Sequence, residues 1–453
     1  MGSERYQEGQ VDDDEYAKLI RKMNSPRVGI DNDACDHATI VQVDCVCKHG
    51  ILLELVQVLT DLNLVIKKAY ITSDASWFMF VFNVTDGAGN KLQDHKILNY
   101  LKTALESSAC SITSLPSSVD ILPSKDFTLI ELTGNDRPGL LSEVCAVLKD
   151  LHCNVVKAEV WTHNTRAAAV IQVADESTLQ AIEDRNRLSR IKDLLYNVLK
   201  GDSHTSRAKM VVSEGLAHTE RRLHRLMFDD RDYEQTGVAK GPKKSRSQVT
   251  VTNCVDRHYT VVMLRSKDRP KLLFDTLCTL SDMHYLVFHA SIDATRSEAY
   301  QIYRLHQEFY LRHSDGHSVS SETEQHQIIR CLEAAIERRV SEGLELELHA
   351  DDRIGLLSDI TRVFREYGLC IRRAAIATDG GKAFDTFYVS ETASNRVDAK
   401  TIDCIRRQIG QTILRVKQTP SLSPKPSGEA EASATSLLLR VFFKVCSFHN
   451  VRV

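Results

Sequence analysis

Asp136-Arg137-Pro138-Gly139-Leu140-Leu141 is a phrase this chain uses four times. The other copies are Lys48-His49-Gly50-Ile51-Leu52, Asp268-Arg269-Pro270-Lys271-Leu272-Leu273 and Asp352-Arg353-Ile354-Gly355-Leu356-Leu357. Internal repetition decides architecture before any single element is considered. Counted from the glycine (or Lys271), the copies align without gaps for 22 positions. Position 2 is leucine in all four, position 4 is acidic (Glu54, Glu143, Asp275, Asp359), and position 19 is alanine (Ala69, Ala158, Ala290, Ala374).

Positions 2, 5, 9 and 12 are mostly apolar, the stripe of an amphipathic helix of three to four turns. An alternating or β-branched run precedes each phrase, as in Phe127–Leu132 and Leu344–His349. Two strand-like runs follow the helix, then a second helix near Asp94–Leu105, Leu188–Leu199, Glu322–Arg339 and Ala399–Gln411. A short last strand fits Ala208–Val212 and Ile413–Lys417 but is poorly marked in repeat 1. The order is β-α-β-β-α-β, the ferredoxin-like split βαβ unit, an α+β fold with two helices on one face of an antiparallel sheet. In repeat 3 the second helix runs almost directly into repeat 4, so its fourth strand is either missing or supplied by a neighbour.

The phrase makes physical sense as a strand-to-helix turn. Asp ahead of a helix caps exposed N–H groups, Pro is tolerated in the first turn, and Gly admits a close backbone or ligand. Bare N–H groups at a helix start also favour an anion.

The glycines (or Lys271) of successive repeats are 89, 132 and 84 residues apart, so repeats 1–2 and 3–4 are closely spaced in sequence, with an insert between the pairs. The insert begins with a helical stretch, Leu216–Tyr233, and ends in a basic linker carrying Lys240, Lys243, Lys244 and Arg246. The expected layout is a leader (1–36), domain 1 (37–117), domain 2 (126–212), the helical and basic linker (213–250), domain 3 (257–342), domain 4 (343–420) and a tail (421–453).

Net charge is −3 over 453 residues, which gives no global basic field for nucleic acid. No apolar run reaches the length of a membrane span, and the N-terminus lacks a signal core. Twelve cysteines in such a chain suggest reduced thiols. Cys145, Cys278 and Cys370 read as small buried hydrophobes, and the 17 histidines form no metal motif. The expected compartment is the cytoplasm, with the nucleus open through the basic linker.

The repeated phrase, the helix after it and the alanine-bearing second strand resemble the ACT domain, a small regulatory amino-acid-binding module. His218-Thr219-Glu220-Arg221-Arg222-Leu223-His224 and Glu337-Arg338-Arg339 extend the likeness to the plant ACT domain repeat (ACR) proteins, over roughly residues 15 to 420. The resemblance implies four ACT domains arranged as two pairs and no enzymatic activity. It further implies a free amino acid as ligand, intramolecular ACT–ACT pairing, a homodimer as a further option, and an unidentified protein partner. It implies no cofactor. Ligand in such domains sits by the glycine turn, and two polar positions recur: three before the glycine, and an Asn at position 15. Repeat 2 has Asp136 and Asn154 around Gly139 and Leu140; repeat 4 keeps Asp352, Gly355 and Leu356 but has Cys370 at position 15. Repeat 1 (Val65) and repeat 3 (Leu286, Lys271) are expected to be structural.

Two other readings compete. No phosphate loop, nucleophile elbow or dinucleotide fingerprint supports an enzyme. An RNA-recognition domain shares the element order, but its nearest counterpart here, Lys382–Val389, lacks the glycine and places Asp385 within the strand. The stronger rival is a ligand-free scaffold that uses ACT–ACT pairing alone.

Overall fold

The computed structural model describes residues 25–46, 48, 50–74, 77–110, 126–201, 208–214, 218–234, 247–254, 259–297, 302–313, 316–319, 321–339, 343–391, 397–410 and 414–417. Most of the leader, the basic half of the linker and the C-terminal tail lie outside these residues, as does Cys47.

Repeat 1 comprises β1 (Arg27–Asp31), β2 (Thr39–Val46), α1 (Ile51–Asp61), β3 (Val65–Asp74), β4 (Trp77–Thr85) and α2 (His95–Cys110). Repeat 2 comprises β5 (Thr128–Asn135), α3 (Leu140–Asp150), β6 (Cys153–His163), β7 (Arg166–Asp175), α4 (Arg185–Lys200) and β8 (Lys209–Glu214). Helix α5 (Thr219–Asp229) follows. Repeat 3 comprises β9 (Ser247–Cys254), β10 (Tyr259–Lys267), α6 (Leu272–Asp282), β11 (Tyr285–Ser297), β12 (Ile302–His313) and α7 (Glu322–Arg338). Repeat 4 comprises β13 (Leu344–Asp351), α8 (Leu356–Glu366), β14 (Leu369–Asp379), β15 (Lys382–Glu391), α9 (Ala399–Ile409) and β16 (Leu414–Lys417).

The α+β repeats are arranged as two pairs, each sharing one eight-stranded antiparallel sheet. The orders are β1-β2-β4-β3-β11-β12-β10-β9 and β16-β13-β15-β14-β6-β7-β5-β8. The partners are alternate repeats, 1 with 3 and 2 with 4, rather than the sequence neighbours that the spacing grouped together. The chain divides accordingly into two compact units. In unit 1, β3 pairs antiparallel with β11 through Ala69↔Ile292 and Ile71↔Ala290. In unit 2, β14 pairs with β6 through Ala374↔Val160 and Ile376↔Ala158. The invariant alanine of position 19 therefore lies on the strand that joins two repeats. Its small side chain is buried there, with Ala69 and Ala374 fully enclosed.

Repeats 2 and 4 have the expected order. Repeats 1 and 3 are permuted: the edge strand comes before the first core strand (β1 against β2, β9 against β10) instead of at the end. This answers the missing fourth strand of repeat 3. It also explains why no final strand could be marked in repeat 1. The linker end expected at residue 250 falls inside β9, which is a strand of the third repeat.

The helix starts differ from the capping expectation. In all four repeats the residue at the N-cap is the glycine, or Lys271, in the left-handed region, with φ of 80° (Gly50), 82° (Gly139), 66° (Lys271) and 77° (Gly355). No side chain caps these helices. The Asp and Pro of the phrase stand before the cap, outside the helix.

What does fix the turn is an ion pair spanning it. The basic residue before the glycine reaches the acidic residue of position 4: Lys48–Glu54 (3.1 Å), Arg137–Glu143 (2.6 Å), Arg269–Asp275 (2.6 Å) and Arg353–Asp359 (2.7 Å). In repeats 2 and 3 the same arginine donates to a carbonyl near the end of the second helix, that of Val198 or Ile336, at 3.0 Å. Charge-assisted pairs of this kind are among the stronger hydrogen bonds. They explain why position 4 is acidic in every copy.

Each unit has its own apolar core beneath its helices. Phe80, Phe82 and Phe309 are fully buried in the first, and Phe364 and Phe387 meet edge to face at 5.2 Å in the second. The aromatic run at Trp77–Phe80 is accordingly core at Phe78 and Phe80. Phe387 is enclosed as well, so the Lys382–Val389 strand does not offer that ring to a nucleobase. Among the described residues, no helix is long and apolar enough to cross a membrane.

Candidate ligand-binding site

Unit 2 holds a small cavity, about 40 Å³, at the start of α3. Repeat 2 lines it with Leu132, Asp136, Gly139, Leu140, Val160 and Ala169, among others. Repeat 4 contributes Thr361, Arg365, Leu369 and Ile371. The space exceeds one water and is smaller than an amino acid.

Arg365 lies over the glycine of this turn. A Cβ placed on Gly139 would meet its Cδ at 2.6 Å, so this turn needs glycine for space as well as for φ. The contact is reciprocated: a Cβ on Gly355 would meet the Lys149 Cε at 2.6 Å. Arg365 and Lys149 both stand ten residues after their own glycine, and each lies over the other repeat's turn. Both are exposed, and Lys149 also pairs with Asp359 of the partner repeat at 3.2 Å. The corresponding residues in repeats 1 and 3 are Thr60 and Ser281. Around Gly50 nothing would come within 4 Å of an added Cβ.

Electrostatics at the Gly139 turn are divided. Burial pushes the Asp136 carboxyl above its ordinary range, while Arg372 at 3.6 Å opposes that shift. The Arg137 guanidinium holds Glu143 below the usual carboxylate range. The uncapped first turn of α3 adds backbone N–H groups and the positive end of the helix dipole. One side of the cavity therefore suits an anion, Asp136 suits a cation, and the walls between are mostly apolar.

Of the residues singled out from sequence, Asp136, Gly139 and Leu140 come together here. Asn154 does not line the cavity. The lining from positions 14 and 16 comes from repeat 4, as Leu369 and Ile371, which flank Cys370. Position 15 itself, Cys370, is not in the lining; its neighbours bring that strand of the partner repeat beside the Gly139 turn. Asp352, Gly355 and Leu356 stand at the start of α8, with Lys149 above them. Arg365 and Lys149 escaped sequence reasoning because their role depends on which repeats pair. The signal was nonetheless present, as a basic residue ten positions after the glycine in repeats 2 and 4 alone.

Unit 1 closes the corresponding turn of repeat 3. Lys271 occupies the glycine position and binds Glu220 of α5 at 2.7 Å. Arg339 also binds Glu220, at 3.0 Å, and Asp275, at 2.8 Å. His224, fully buried, reaches Asp275 at 2.8 Å. Burial opposes ionisation of Asp275, yet Arg339, Arg269 and His224 outweigh it and hold this carboxylate well below the ordinary range. The linker helix and the end of α7 thereby seal this turn with an internal ion network.

These features define a paired-repeat module built around glycine turns, and comparison with known proteins identifies the class. The ACR family N-terminal ACT domain matches residues 34–112, and the general ACT domain matches 128–195 and 345–410. The latter two spans are the repeats with a basic residue over each glycine. The chain is 56% identical to the ACT domain-containing protein ACR4 of Arabidopsis thaliana, covering 97% of both chains. It is 60% identical to ACR6 of the same plant, over 90% of this chain and 93% of that one, and 54% identical to ACR5. The chain belongs to the ACR family of ACT domain-containing proteins.

Proposed function

We propose that this protein is a non-enzymatic amino-acid sensor in which unit 2 receives the ligand and unit 1 is structural. The observation that carries the reading is the Gly139 cavity. An amino acid's carboxylate meets the N-terminus of α3 beside Arg365, its ammonium meets Asp136, and an aliphatic side chain meets Leu132, Val160 and Ile371. Arg365 moves off Gly139 as the ligand enters, which carries occupancy to α8 of the partner repeat. From there the state passes to a protein partner.

The test is thermal shift of the full chain against the twenty amino acids, followed by titration calorimetry on the hits. Ligand binding to the native state raises the melting temperature by mass action. A flat response across all twenty would instead favour the second reading, a scaffold whose ACT pairings are purely structural; the sealed turn of repeat 3 is the observation on that side.

A further inference from the structure

The two turns of unit 2 are equivalent in position but not in chemistry. Counted from each glycine, Leu132 corresponds to Leu348, Asp136 to Asp352, Val160 to Ile376 and Thr162 to Thr378. The residue thirty positions on is Ala169 in repeat 2 and Asp385 in repeat 4. Ala169 lines the Gly139 cavity. Asp385 lies on β15 between Leu348 and Ile376 of the neighbouring strands, on the helix-covered face with Ala383 and Phe387. It is 3% exposed, and its Oδ1 has no hydrogen-bond partner in the structure.

A buried carboxylate atom without a partner is costly, and a group of this kind in a core needs an explanation. The surroundings point towards the seam between repeats. The Asp385 charge is felt by Cys145 of α3, whose thiol meets Thr361 of α8. Burial raises the Asp385 pKa to about 7; a hydrogen bond from the Ala377 backbone opposes the shift and the nearby Asp352 carboxylate adds to it. The Gly355 turn thus brings together the uncapped N-terminus of α8, Lys149 above it and paired with Asp359 at 3.2 Å, and Asp352, with Asp385 at the position matching Ala169 and close enough to feel the Asp352 charge.

We propose that the seam beneath the Gly355 turn is a second amino-acid site, selective for a diamino acid with a cationic side chain. The ligand's carboxylate lies on the α8 N-terminus beside Lys149. Its two amino groups meet Asp352 and Asp385. Asn154 supplies a further polar contact from repeat 2. A single aliphatic amino acid leaves Asp385 Oδ1 without a partner and its carboxyl without a cation, and an acidic one adds a third negative group; a diamino acid supplies that cation. The inference rests on the amino-acid-sensor reading and assigns this second turn its own ligand class.

The experiment is titration calorimetry on the full chain with L-lysine, L-norleucine and L-leucine, on the native sequence and on Asp385→Asn. Norleucine is lysine without the terminal amine. Lysine should bind at least about tenfold more tightly than norleucine at this site, the difference expected of a charge-assisted hydrogen bond. Asp385→Asn should lose that preference while leucine binding at Gly139 stays unchanged. Circular dichroism on the variant checks that it is folded, and the near-isosteric exchange favours that. Lysine binding should also release protons near pH 7, which a second buffer of different ionisation enthalpy reveals. Leucine binding without lysine binding overturns this proposal alone. So does lysine binding that Asp385→Asn leaves intact, or an Asp385-dependent shift given by magnesium or calcium ions without any amino acid. Absence of binding by all three amino acids overturns this proposal, and only a flat response across all twenty overturns the sensor reading along with it.

Discussion

Lys271 Nζ lies 2.7 Å from Glu220 Oε1, so the one turn of the four that lacks glycine is closed by an ion pair from the linker helix. The lysine holds φ at +66°, a region that costs a non-glycine residue about 1–2 kcal/mol. Lys271→Gly removes that strain and one partner of Glu220, while Arg339 keeps its hold on the carboxylate. The expected net change in unfolding free energy is within about 1 kcal/mol in urea denaturation. A loss well beyond that would assign Lys271 a larger share of the network than its geometry gives it.

Arg339→Ala should be far more damaging. It leaves Asp275, fully buried, and Glu220 short of their shared cation. Breaking a buried pair from one side typically costs about 3–5 kcal/mol. Differential scanning calorimetry should show a large drop in melting temperature, and a drop no greater than that of Lys271→Gly would contradict the network.

Acid and neutral pH should act on different carboxylates. Asp275 and Asp232 are held below the ordinary range despite burial, Asp232 at about 2 by Arg338. Their stabilisation is complete above the unfolded value of about 4 and disappears as pH falls below it. Asp385 has the opposite sign. Its folded pKa of about 7 lies above the unfolded value, so its contribution is present in acid and is lost as pH rises through 7. The difference in stability between native sequence and Asp385→Asn should therefore move in favour of the variant by about 2 kcal/mol from pH 5 to pH 7. Trp161, buried in unit 2, reports on this by fluorescence in a Trp77→Phe background. A difference that does not change with pH would sink the claim.

Gly50→Ala and Gly139→Ala should each lose about 1–2 kcal/mol because both turns need positive φ, and Gly139→Ala must displace Arg365 in addition. They should part in ligand response. A methyl group at residue 139 meets Arg365, and at residue 50 it meets open space. Thermal shift by an aliphatic amino acid should survive Gly50→Ala and vanish in Gly139→Ala.

Asn154→Ala should leave aliphatic binding at Gly139 intact, since Asn154 does not line that cavity. The diamino ligand should weaken by about tenfold, the value of a hydrogen bond to a charged group. Calorimetry with leucine and lysine on this variant separates the two outcomes; loss of leucine binding would return Asn154 to its own repeat's turn.

Much of the fold was legible because the phrase carries local physics. A positive-φ glycine, an apolar stripe and an acid six residues after a base are all written within one turn and one helix. The permuted edge strands were not legible, because β1 and β9 are defined by which strand they lie beside, not by any pattern of their own. Pairing of alternate repeats was hidden for the same reason: sequence spacing grouped neighbours, whereas the Ala69–Ile292 and Ala374–Val160 register joins repeats far apart in the chain. The crossing of Arg365 and Lys149 over each other's turns follows from that pairing. In the sequence alone Asp385 does no more than break a nucleic-acid motif. Its significance needed the match to Ala169 across the seam.

The crossed contacts of Arg365 over Gly139 and Lys149 over Gly355 have the form of a two-fold dimer interface written into one polypeptide. In a true homodimer a single substitution enters both symmetric sites together. Fusion in one chain breaks that constraint. Alanine can remain at one position while aspartate takes the other, so two equivalent turns diverge in chemistry within one symmetric frame.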